Sequence, residues 1–194
     1  SANTTHLYVC ETTRFRVLRF SLPECTQQGV FLEHLPGFPD NIRRLDGVQY
    51  EEKAGSASYL VALGSKAAAP FSPLHFVYQY PEAFMWASKA FSTEQALLRT
   101  MDRIAPKYGL VAVATEDEET DRAPPGDRDA SSGTVRASFH DESARVPYVS
   151  HASVQADDYL YLGSHHNFFL SRVKVTELKA LRILPADGDS DEQS

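Results

Sequence analysis

Short apolar runs separated by turn residues follow one another along most of the 194 residues, and this punctuation restricts the chain to β-rich architectures. Leu7 to Glu11, Arg16 to Leu22 and Gly29 to Leu35 come first, followed by Asn41 to Leu45 and Ser58 to Leu63. After an interruption come Gly109 to Ala114, Gly133 to Phe139, Val149 to Gln155, Tyr159 to Gly163 and Phe168 to Val175. In the second run Leu18, Phe20 and Leu22 fall on one face and Arg19 on the other, the period of two of a strand. Such a series points to an all-β sandwich, barrel or propeller. One phrase nearly recurs, as Leu7-Tyr8-Val9-Cys10-Glu11-Thr12, as Tyr59-Leu60-Val61-Ala62-Leu63-Gly64 and as Leu160-Tyr161-Leu162-Gly163-Ser164. A recurring unit of this kind favours propeller blades over a sandwich.

The interruption between Ser65 and Lys107 has helical signals, and a helical insertion is expected over about 72–106. Pro81 suits a first helical turn, Ser92 and Gln95 have capping-box spacing, and Pro106 is a stop. Leu97, Met101 and Ile104 recur at helical spacing. With Phe84, Trp86 and Phe91, the insertion either packs on the sheets or forms an aromatic-lined lid. Residues 115–132 are acidic, contain proline and lack an apolar period, so a mobile loop between strands is expected there. Residues 1–184 then form the folded unit, and 185–194 a disordered acidic tail.

Composition narrows the partners. Hydrophobic residues make up 42% and charged residues 23%, a balance that supports a real core. A formal charge of −7 without a basic run argues against nucleic acid. No apolar stretch approaches the roughly 20 residues of a membrane helix. Ser1-Ala2-Asn3-Thr4-Thr5 reads as a turn entering a strand, and an N-terminal part is expected to be missing. Asn3-Thr4-Thr5 is also a glycosylation sequon, which matters only in the secretory pathway. Cys10 and Cys25 show no metal or redox spacing and read either as ordinary thiols or as a pair, if their strands meet.

The segment Leu35-Pro36-Gly37-Phe38-Pro39-Asp40-Asn41-Ile42-Arg43-Arg44 is the densest in chemical content. Two prolines and a glycine predict a tight loop, with Asp40 and Asn41 where it becomes a strand. Two side-chain oxygens held there suit a hard cation or a substrate at the mouth of a β-structure; the alternative is an Asx turn that starts the strand. No Gly-x-Ser-x-Gly elbow, glycine-rich phosphate loop or zinc spacing occurs.

The chain resembles the C-terminal half of strictosidine synthase-like proteins. The resemblance rests on Leu7 to Phe20, on Leu35 to Arg44 with Tyr59 to Leu63, and on Gly133-Thr134-Val135 through Tyr159 to Ser164. Lys107-Tyr108-Gly109-Leu110-Val111 also fits, whereas 46–57 and the acidic loop do not. The resemblance implies about half of a six-bladed β-propeller related to paraoxonases and gluconolactonases. The chain would begin inside one blade, hold the next nearly whole and include the inner strands of another. The missing N-terminal half would then be its first partner, with a small-molecule substrate or ligand in the channel. Membrane attachment would come only through a segment absent from this chain, in a secretory or membrane-anchored protein.

The resemblance also assigns roles. Asp40 and Asn41 correspond to an Asp-Asn pair that contributes to a calcium site in related channels. His151 stands where strictosidine synthase has its acid/base glutamate, so amine-aldehyde condensation is disfavoured, and an imidazole suits a general base near neutral pH. His165 and His166 would lie near the channel mouth; adjacent loop histidines are expected to diverge and to line a pocket, or simply to face solvent. Glu11 and Thr12 end an equivalent strand and are further substrate-binding candidates. Three functions follow: a calcium-dependent esterase or lactonase, a strictosidine synthase-type condensation, and a non-catalytic propeller that binds a ligand or protein.

Overall fold

Two strands in the middle of the chain carry apolar side chains on both faces, so both faces need a cover. The computed structural model describes residues 6–45, 48–50, 57–66, 80, 82, 85, 86, 89, 96, 108–116, 133–155, 157–178 and 181–183. In chain order the strands are β1 (His6–Glu11), β2 (Arg16–Ser21), β3 (Gln27–Leu32), β4 (Gly37–Arg44), β5 (Val48–Tyr50) and β6 (Ser58–Lys66). They continue with β7 (Gly109–Glu116), β8 (Gly133–Asp141), β9 (His151–Val154), β10 (Tyr159–Gly163), β11 (Ser171–Lys174) and β12 (Leu181–Ile183). The strands form a three-stranded sheet β1-β2-β3, a four-stranded sheet β4-β6-β7-β8, a three-stranded sheet β11-β10-β9 and a ribbon β12-β5. Every pairing is antiparallel.

The two-faced strands are β6 and β7, at the centre of the four-stranded sheet. Tyr59, Val61 and Leu63 of β6, with Leu110, Ala112 and Ala114 of β7, face Val17, Phe31 and Leu32 of the first sheet. The alternate residues Leu60, Ala62, Val111 and Val113 face Val149, Ala152, Leu160 and Val175 on the other side. The second sheet is thus clamped between the first and the third. Along one margin, β4 touches both β1 and β9, so an edge strand from each sheet meets there. On the side away from that margin, β3 touches β8. The fold is all-β and antiparallel, consistent with part of a propeller.

A polar knot crosses the first interface. Tyr8 and Tyr59 both donate to Oε1 of Glu116, the latter at 3.1 Å, and the rings of Tyr8, Tyr59 and Phe31 pack within 4.6–5.3 Å of one another. Burial, reinforced by the neighbouring carboxylate, pushes the Tyr8 phenol far above its ordinary pKa, so the group stays a donor.

The recurring phrase falls on β1, β6 and β10. β6 and β10 each follow an edge strand, β4 and β9 respectively, while β1 is itself an edge. Several expectations shift. The tight loop predicted before Asp40 is strand, because β4 begins at Gly37. Pro39 is tolerated there because β4 is an edge strand, where one missing N–H costs no ladder bond. Gly37 is needed for a different reason: a Cβ at that position would lie 2.3 Å from the Ser65 carbonyl. The first two residues of the expected loop are strand instead: β7 runs to Glu116, and Thr115 is buried in it and receives the Arg136 Nε–H at 3.0 Å. β11 is shorter than expected and ends in a 3₁₀ turn, Val175–Glu177. The ribbon β5–β12 was not anticipated; three-residue strands carry too little pattern to read. The expected helical insertion lies outside the described residues apart from positions 80, 82, 85, 86, 89 and 96. The remainder of the acidic loop, the sequon and the tail 185–194 lie wholly outside them.

Candidate functional site

The Asp40 corner is built by a break in strand register. Pro39 pairs with Leu63 and Asn41 with Ala62, so the ladder between β4 and β6 is irregular at Asp40. A bulge of this kind re-aims the side chain it carries. Asp40 is exposed and Asn41 half-buried. The corner is pinned from the first sheet, where the Thr12 hydroxyl donates to the Pro39 carbonyl at 2.8 Å. Thr12 opens a 3₁₀ turn, Thr12–Arg14, that closes on Phe15 in the left-handed region at φ 54°. The Phe15 ring packs 4.6 Å from Phe38, and the Phe15 carbonyl accepts the Leu35 N–H at 3.0 Å. Cys10 lies beneath the corner. Burial, and then the nearby Asp40 charge, push its thiol up to about 11.

The predicted site residues divide by whether their functional groups are engaged. Glu11 is engaged, holding Arg16 Nε at 2.6 Å and Arg14 Nε at 3.3 Å. Thr12 is engaged as the pin on Pro39. His165 Nδ1 lies 2.8 Å from the Ser150 hydroxyl, and the His166 ring packs 5.1 Å from Tyr148. By contrast, neither Asp40, Asn41 nor the His151 imidazole has a hydrogen-bond partner or ion pair among the described residues.

The histidines converge where the sequence predicts divergence. The His165 and His166 rings stand 4.0 Å apart, centroid to centroid, tilted by 42°. A short turn after β10 closes on itself, with the His166 N–H donating to Ser164 Oγ at 3.1 Å and Asn167 Nδ2 donating to the Pro147 carbonyl at 2.5 Å. Those bonds fold both rings back over the start of β9. His151 is the first residue of that strand and pairs with Gly163, so the three histidines share one end of the third sheet. Ser150 and Tyr148 complete this cluster and were not anticipated. They are remote from the histidine pair in sequence, and only the pairing of β9 with β10 brings them together.

The two groups offer different chemistry. The corner offers oxygen donors beside an exposed carboxylate, and the β9 end offers imidazoles in a polar setting. Among the described residues no group of three His, Cys, Asp or Glu could hold a metal ion. A hard cation takes about 6–8 oxygens, more than the side chains of Asp40 and Asn41 supply by themselves. Cys10 and Cys25 are both free thiols.

Over 174 residues the chain is 33% identical to adipocyte plasma membrane-associated protein of Mus musculus, a match covering 88% of this chain and 35% of that protein. The protein of that name from Danio rerio is 31% identical over 173 residues, and that from Homo sapiens 31% over 171. The chain therefore spans about a third of the length of the curated relatives it matches. No family model and no solved structure matches it. Among the described residues no helix is long and apolar enough to cross a membrane. Over 88% of its length the chain is thus similar, at 31–33% identity, to adipocyte plasma membrane-associated proteins, a strictosidine synthase-like family.

Proposed function

We propose that the three larger sheets are successive blades of a six-bladed propeller that closes with chain outside these residues, and that the propeller is a calcium-dependent hydrolase of esters or lactones. The observation that carries the catalytic part is the division of the candidate side chains. Asp40, Asn41 and His151 keep their functional groups unengaged among the described residues, while Glu11 and Thr12 serve to build the corner. In this reading Asp40 and Asn41 contribute oxygens to a calcium ion in the channel. Calcium, when bound, polarises a substrate carbonyl. The chain's own work is to hold and orient. The bulge aims Asp40, the Thr12 hydroxyl keeps the Pro39 carbonyl in place, and His151 takes the proton from the attacking water. His165 and His166 line the approach to it. The relatives' name, plasma membrane-associated protein, supports membrane association, which this reading assigns to a segment outside the described residues.

Condensation of an amine with an aldehyde is the weaker reading, because His151 stands where that chemistry uses a carboxylate. A non-catalytic propeller that binds a ligand or protein is the remaining one. The test is turnover of aryl esters and lactones by the full protein, with and without a calcium chelator. Turnover should vanish on chelation and in Asp40→Ala and Asn41→Ala. His151→Gln should lower kcat by about 10²–10⁴-fold, the usual worth of a general base, while calcium binding persists. Turnover indifferent to chelation and to all three substitutions refutes the hydrolase. An inert protein that holds a specific partner establishes the binding propeller instead.

A further inference from the structure

The second and third sheets do not close completely on each other. Between them lies a cavity of about 390 Å³, within the range of small-ligand sites. Val111 and Phe139 form one wall, and Leu160, Leu162 and Val173 form the other. Its polar side chains, His140, Asp141 and Arg145, are confined to one short segment, and Arg145 is exposed at the rim. That segment is braced. Asp141 Oδ1 accepts the Ser143 N–H at 3.1 Å and also the Ser143 hydroxyl, and Oδ2 accepts the Val146 N–H at 2.6 Å. On the far side, Gly109 presses against the same turn, since a Cβ there would lie 2.2 Å from the Val146 carbonyl. A rim held at both ends does not need to be ordered by the ligand, which removes part of the cost of binding.

The charges at the rim are unequal in availability. Both Asp141 oxygens are taken by the turn. Arg145 spends only its Nε, on Ser143 Oγ at 3.2 Å, and its two terminal nitrogens have no partner among the described residues. A planar guanidinium with free terminal donors is matched to a carboxylate. We propose that this inter-sheet cavity binds a small apolar molecule ending in a carboxylate, its hydrocarbon part between the sheets and its carboxylate on Arg145. The proposal is independent of the reading given to Asp40 and His151.

Calorimetric titration of the full protein with decanoate and with decanol tests it. Decanoate should bind more tightly than decanol. Arg145→Gln should weaken decanoate by about tenfold, the loss expected for a charge-assisted hydrogen bond, and leave decanol unchanged. Leu162→Trp and, separately, Val173→Phe fill the cavity and should abolish binding of both; Val173 lies on the edge strand β11, where added bulk is better tolerated. Asp40→Ala and His151→Gln should bind decanoate as the parent does. Decanoate binding that survives both filling substitutions in folded protein, or a preference over decanol that survives Arg145→Gln, overturns the proposal. So does the absence of any binding by the parent.

Discussion

A cysteine and an aspartate from neighbouring sheets meet at the Asp40 corner, and each reports on the other. Cys10 is partly covered and its thiol is raised to about 11, first by burial and then by the Asp40 charge, whereas Cys25 is exposed in a turn. The thiolate is the reactive form, so burial and raised pKa both slow Cys10. At pH 8 one thiol per chain, that of Cys25, should react rapidly with a disulfide reagent, and Cys10 should lag well behind. Asp40→Asn removes the second cause and leaves the first, so it should speed Cys10 modestly without bringing it level with Cys25. Equal rates for the two thiols in the parent protein would contradict the packing of β1 against β4. This measurement reads the position of Asp40 without depending on any activity.

At the scale of elements, the turn after β8 is held by one carboxylate. The Ser143 hydroxyl, the backbone N–H groups of Val146 and Ser143, and nearby Arg145 hold Asp141 below the usual carboxylate range, against a smaller opposing effect of burial. A folded-state pKa below the unfolded value of about 3.9 stabilises the fold above that pH, and the contribution is lost as pH falls through the depressed value. Asp141 is half-buried at the surface, where solvent still screens its charge, so the effect is modest. Melting temperatures of the parent and Asp141→Asn should differ at pH 7 and converge below about pH 4. A gap that stays constant from pH 7 to pH 3 would show that the carboxylate does not brace the turn. The knot of Tyr8, Tyr59 and Glu116 acts between elements in the same manner, tying β1 to β6 and β7 through one shared acceptor.

At the scale of the whole molecule, one face of the first sheet is only partly covered. On the first sheet Leu7 pairs with Phe20 and Val9 with Leu18, so these four side chains share the face turned away from the second sheet. Leu7 is 46% and Val9 39% exposed, while their neighbours Tyr8 and Cys10 pack inward. The second sheet, covered on both faces, shows what such a face requires. In the propeller reading another blade lies against it, and relatives about two and a half times as long have chain to supply one. The 194-residue chain produced alone should therefore self-associate in sedimentation, and Leu7→Lys with Val9→Thr should shift it toward monomer. A sharp monomer that melts cooperatively without these substitutions would mean that the face needs no cover.

Much of this molecule was legible in its residues taken in order. Short apolar runs between turn residues located ten of the twelve described strands, the recurring phrase marked β1, β6 and β10, and family likeness was readable from the same segments. Those signals are local, because a strand's alternation is written in neighbouring residues. The ribbon β5–β12, the bulge at Asp40 and the convergence of His165 with His166 were not readable, because each depends on a partner strand or on closure of a turn. The same holds for the candidate site. Sequence and family resemblance together named Asp40, Asn41 and His151 as chemical groups, with Glu11 and Thr12 as further substrate-binding candidates at a strand end. Tertiary structure decided which of them are occupied by internal bonds and which are not, since hydrogen bonds across sheets join residues that the chain keeps far apart.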